Sequence, residues 1–101
     1  MNQKQLMQQV QQMQRQMQKI QEELATVMVE GSAGGGAVIV TMNGHREVQD
    51  VKIAPEVIDP DDVDMLQDLV LAAINDAAKR AQELAEERMG PLAQGGMPGL
   101  F

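Results

Sequence analysis

The chain has 101 residues, with 8 basic and 15 acidic side chains and a net charge of −7; it has no Cys, Trp or Tyr, and its one Phe is the last residue. A disulfide framework, Cys-ligated zinc and a thiol nucleophile are excluded, and a single His argues against a multi-histidine metal site or a Ser-His triad. No apolar run nears the roughly 18 residues a membrane span needs, and the polar start MNQKQLMQQ reads as a mature cytosolic N-terminus.

Charge is unevenly placed. Residues 1–28 hold 10 of the 14 glutamines and are net +1, with Lys4, Arg15 and Lys19 against Glu22 and Glu23; the remainder is −8. Within the first segment, Leu6, Val10, Met13, Met17, Ile20, Leu24 and Val27 recur at alternating steps of four and three. That spacing predicts a helix with a coiled-coil seam. At about 100° per residue the three cations gather on the side opposite the seam. Either a second subunit or the chain's own domain covers the seam.

Three short strands follow. Residues 26–30 are β-branched and apolar, and residues 31–36, GSAGGG, read as a loop. Residues 37–42 form a second strand. Asn43-Gly44 predicts a type I′ turn with positive φ at both positions. Residues 47–53 form the third strand, with Val48 out of phase with Val51 and Ile53, which predicts a bulge.

A second helix is predicted from Asp59 as N-cap and Pro60 at its first position, with Asp61, Asp62 and Asp64 at the positive end of its dipole. Its apolar face is Leu66, Leu69, Val70, Ala73, Ile74, Ala77, Ala81 and Leu84, and Gly90-Pro91 is expected to end it. The fold class is α+β: α-β-β-β-α with a three-stranded antiparallel meander, in one domain over residues 1–90. A flexible Gly/Pro/Met tail is expected over 91–101.

Most chemical motifs fail. GSAGGG lacks the Gly-Lys-Ser/Thr ending of a P-loop, and a strand follows it where a dinucleotide site needs a helix. The aspartates at 59–64 lack the Gly and Glu of a calcium loop and read as helix capping. His45 sits beside Arg46 after a turn with no nucleophile spaced to use it. The expectation is a protein that is no enzyme, with no catalytic residue, metal, cofactor or small-molecule substrate.

The run Val29-Glu30-Gly31-Ser32-Ala33-Gly34-Gly35-Gly36, then Val38-x-Val40, Asn43-Gly44 and Val51-x-Ile53, resembles the YbaB/EbfC family of nucleoid-associated proteins. The likeness continues through Asp59-Pro60-x-Asp62, Leu66-x-Asp68-Leu69 and Ala72-Ala73-x-Asn75-Asp76-Ala77, and spans essentially the whole chain. The resemblance implies a small cytoplasmic homodimer, associated with the nucleoid, that binds double-stranded DNA with little sequence selectivity and helps organise bacterial chromosomes. It also implicates the helices in DNA contact, with paired helical arms on a central sheet.

The individual DNA-binding residues follow from charge. Lys4 and Arg15 have no acid within a helical turn, and Lys19 has Glu22 or Glu23. On the second helix Lys79 faces Glu83, and Arg80 faces Asp76 and Glu83, at spacings that suit ion pairs. Arg88 falls near the apolar face, where its stem packs or an interface takes it. The expected DNA-contacting set is Lys4, Arg15, Lys19, Lys79, Arg80 and Arg88; the expected dimer seam is Leu6, Val10, Met13, Met17, Ile20 and Leu24. The competing reading is a protein–protein adaptor that recruits another helix through this seam, with DNA incidental.

Overall fold

Helix α1 spans Gln3–Thr26. Asn2 caps it, its side chain accepting the Gln5 N–H at 2.8 Å. Straight-chain Gln, Met and Lys propagate the helix without interruption by Gly or Pro. The ladder ends at Val27, which is extended (φ −81°, ψ 129°) and donates its N–H to Glu23 O at 3.0 Å. Val27, the last expected seam position, therefore leaves the helix. The computed structural model describes residues 2–94 of the chain.

Three antiparallel strands follow in the order β1-β2-β3: β1 Met28–Ala33, β2 Val38–Asn43 and β3 Val48–Ile53. β1 begins later than expected because Thr26 still belongs to the helix, its hydroxyl donating to Glu23 O. It also runs through Gly31 and Ser32, which pair with Val40 and Ile39, so only the second half of GSAGGG turns. Gly34, Gly35 and Gly36 all take positive φ there, from 64° to 92°. The expected bulge is present: Thr41 faces Asp50 and Met42 faces Val48, leaving Gln49 extra. The extra residue brings Val48 into phase with Val51 and Ile53.

The Asn43-Gly44 hairpin is real, but it is not a type I′ turn. Neither residue has positive φ; the left-handed residue is Arg46, at φ 63°. Asn43 N–H donates to Glu47 O at 3.1 Å and Arg46 N–H donates to Asn43 O at 3.1 Å. This matches the three-residue hairpin that ends on a left-handed residue. Asn43 is instead a buried organiser. Its Oδ1 accepts from the N–H groups of His45 and Glu47, and its Nδ2 donates to Ala25 O and Glu47 Oε1. Gly44 is required because α1 lies on it: a Cβ would sit 2.7 to 2.9 Å from Leu24, and Gly44 N–H donates to Leu24 O at 2.7 Å.

Helix α2 spans Val63–Gln94. It starts after the expected position: residues 59–62 form a turn, with Asp61 N–H on Asp59 Oδ1 and Asp62 N–H on Asp59 O. Asp62 then caps the helix through Met65 N–H at 3.2 Å. Gly90-Pro91 does not end it. A proline withholds one ladder donor but leaves the carbonyls that later N–H groups use, and the helix continues to Gln94. The rest of the expected tail, 95–101, lies outside the described residues.

The core joins α2 to β1 and β2. Val38, Val40, Met42, Ala73 and Ala77 are buried, with Leu66, Leu69, Val70 and Ile74 packed around them. The alanines allow close contact, closest at Gly31, where any Cβ would collide with backbone atoms of Ala73 and Ala77. The chain is elongated, measuring 70 × 22 × 16 Å, with a radius of gyration of 19.3 Å. A compact chain of this length has about 13 Å.

Candidate nucleic-acid interface

Helix α1 carries the net-positive part of the sequence. Lys4, Arg15 and Lys19 are all exposed, and none has a carboxylate within ion-pair distance among the described residues. At 1.5 Å per residue Arg15 and Lys19 are about 6 Å apart along the axis, with Lys4 about 16 Å further out. The expected seam is fully buried only at its inner end. Leu24 is 2% exposed and Leu6 is 54% exposed. Val10 is also exposed, and Met13, Met17 and Ile20 are half-buried.

The α2 cations divide. Lys79 is exposed and makes no ion pair among the described residues, so the expected Lys79–Glu83 pair does not form. Arg80 does pair with Asp76, Nε to Oδ2 at 3.4 Å. That same carboxylate oxygen accepts the Ser32 N–H at 3.0 Å. The Ser32 hydrogen bond, helped by the nearby Arg80 and Lys79 charges, holds the Asp76 carboxyl below its ordinary value. Arg88 is exposed, and its guanidinium lies 3.7 Å from Glu23 Oε2 on α1. The helix crossing that brings these two together is a tertiary fact with no sequence signal.

Arg46 and Lys52 are exposed cations that the charge reading of the helices passed over. Arg46 stands at the tip of the β2–β3 hairpin, next to His45, whose Nε2 lies 2.8 Å from Gln21 O of α1. The sequence carried no signal for its left-handed position, because Arg46 lies beyond the expected Asn43-Gly44 turn.

An open groove of about 740 Å³ runs between β1 and the second half of α2. Glu30, Glu83 and Glu87 line it, with Arg80 as its one cation, already shared with Asp76. This charge balance repels phosphate and leaves α1 as the surface suited to it. Among the described residues, no three His, Cys, Asp or Glu side chains are grouped to hold a metal ion, and no helix is long and apolar enough to cross a membrane.

Comparison with known proteins agrees over nearly the full length. The model of the YbaB/EbfC DNA-binding family matches residues 1–97. A nucleoid-associated protein of Chloroflexus aggregans is 72% identical over 101 residues, covering 100% of both chains. Another, of Roseiflexus castenholzii, is 64% identical over 95 residues, covering 94% of each. In fold the chain is similar to the crystal structure of the uncharacterized protein HP0035 from Helicobacter pylori. The TM-score is 0.79 at 24% identity, covering 91% of this chain and 97% of that one.

Proposed function

The chain belongs to the YbaB/EbfC DNA-binding family, and from that premise we propose that it binds double-stranded DNA as a homodimer with little sequence selectivity. It thereby helps organise the bacterial nucleoid, in the cytoplasm, and influences gene expression. The chemistry is association, with no catalysed reaction and no small-molecule substrate. The observation that carries the reading is the α1 stripe of Lys4, Arg15 and Lys19, exposed and clear of carboxylates on an otherwise acidic chain. Cations that meet phosphates release counterions and bind without reading bases. Lys79 and Arg46 extend the set. Arg80 and Arg88 contribute less, because Asp76 and Glu23 already hold their charges.

The test is binding of purified, nuclease-treated protein to two unrelated duplexes across a range of salt. Similar affinity for both, falling steeply with salt, is the expected result. A single tight sequence, or no salt-dependent binding, overturns it. The adaptor reading draws on the open outer half of the α1 seam, where Leu6 and Val10 are exposed. It gains ground if DNA binding is absent and the isolated protein captures an amphipathic helix through those residues.

A further inference from the structure

Helix α1 is held at its inner end. Leu24 there is buried, while Leu6, Met7 and Val10 near the start of the helix are exposed. A single residue, Val27, joins α1 to β1, and a chain link of that kind turns about φ and ψ unless something else holds the helix. The tip of the β2–β3 hairpin supplies the hold. Carbonyls of a helix's last turn have no partner within the helix, and here the hairpin meets them. Gly44 N–H donates to Leu24 O at 2.7 Å and Asn43 Nδ2 donates to Ala25 O at 3.3 Å. His45 reaches one turn further out, its Nε2 lying 2.8 Å from Gln21 O. A carbonyl oxygen only accepts, so Nε2 carries the proton. The His45 backbone is itself fixed, its N–H donating to Asn43 Oδ1 at 2.9 Å, with left-handed Arg46 closing the tip behind it.

We propose that His45 is a positioning residue for DNA binding: its hydrogen bond to Gln21 O sets the angle at which α1 leaves the sheet, and so where Lys4, Arg15 and Lys19 stand. The inference rests on the DNA reading above and adds a residue that acts without touching DNA. Leu24 against Gly44 fixes a pivot, and a second tie at Gln21, about 4.5 Å further along the axis, fixes a direction. Leverage makes that direction matter. Lys4 lies about 26 Å beyond Gln21 at 1.5 Å per residue, so a tilt of about 10° moves it by about 4–5 Å. That displacement exceeds the length of a hydrogen bond, about 2.9 Å. The Arg88–Glu23 pair also ties α1 to α2, but at 3.7 Å and with both side chains exposed it contributes little and weakens with salt. The imidazole–carbonyl bond needs no opposite charge, so it holds the helix across the salt range in which DNA is bound.

The chain has no cysteine, so Q14C on α1 and Q82C on α2, both at exposed positions, each take one nitroxide label per chain. In DNA-free protein H45A should increase the mobility of the label on α1 and leave the label on α2 as in wild type. H45Q places an amide N–H close to where Nε2 stands, and should restore the α1 label. Both substitutions keep the formal net charge of −7. H45A should therefore raise the dissociation constant for a DNA duplex about fivefold, the loss of one hydrogen bond, with the salt slope unchanged, and H45Q should return it to near wild type. A slope that falls by about 0.9 means that His45 meets phosphate directly and overturns the proposal. So does an H45A variant that loosens both labels alike, or one that matches wild type in label motion and affinity while wild type binds DNA. Wild type without salt-dependent binding removes the DNA reading and the positioning role together.

Discussion

Neutralising the α1 stripe tests the DNA reading quantitatively. In K4Q/R15Q/K19Q each glutamine keeps helix propensity and the seam is untouched. None of the three cations makes an ion pair among the described residues, so thermal stability should stay near wild type. Each phosphate contact adds about 0.9 to the slope of log affinity against log salt. Losing three should make the slope shallower by about 2.7 for one arm, and by twice that if both arms of a dimer engage. Between about 50 and 200 mM salt, wild type should then lose roughly 40-fold more affinity than the variant, counting one arm. Fluorescence anisotropy on two unrelated duplexes reads both slopes. Phosphate contacts carry no sequence information, so the loss should be equal on the two. An unchanged slope with a folded variant refutes the assignment and moves attention to Lys79 and Arg46.

Other expectations concern the frame that holds this surface. Gly31→Ala should cost about 3 kcal/mol, because the new methyl meets helix backbone at Ala73 and Ala77 and no side chain can rotate aside; urea unfolding measures it, and a loss under about 1 kcal/mol would mean that α2 shifts freely. Arg46→Gly removes a left-handed non-glycine residue and should raise stability by up to about 1 kcal/mol. It should also weaken DNA binding and lower the salt slope by about 0.9; an unaltered slope means that Arg46 meets no phosphate. The lowered Asp76 pKa stabilises the fold fully above the ordinary value of 3.8, and this contribution fades as pH falls through the lowered folded value. Unfolding of wild type and Asp76→Asn should therefore differ at neutral pH and converge in acid, and a gap that does not change with pH contradicts the assignment.

Much of the fold is local chemistry and was legible for that reason. The four-three spacing from Leu6 to Leu24 specifies one helical stripe whatever the rest of the chain does. The apolar face from Leu66 to Leu84 was likewise set by helical period, and its alanines 73, 77 and 81 are fully buried. The bulge at Gln49 followed from the broken alternation around Val48. The element boundaries were less legible, because neighbours decide them. Thr26 stays helical through its bond to Glu23, Gly31 joins a strand because Val40 is there to pair with, and α2 waits for Asp62 to cap it.

The candidate site divides along the same line. Sequence by itself determined that the positive charge lies in the first segment, on one side of a helix, with Lys4 and Arg15 away from acids, because charge spacing along a helix depends only on its period. It also singled out Asn43-Gly44 as the hairpin, although for the wrong geometry. Only the tertiary structure decided that Gly44 makes room for Leu24 and that Arg46 takes the left-handed position. The same is true of Arg88 meeting Glu23 across two helices, and of Asp76 holding both Arg80 and the edge of β1. Those pairings join residues up to 65 positions apart in the chain. No local period encodes them: they arise where α2 settles on the sheet, at the depth its alanines and Gly31 permit.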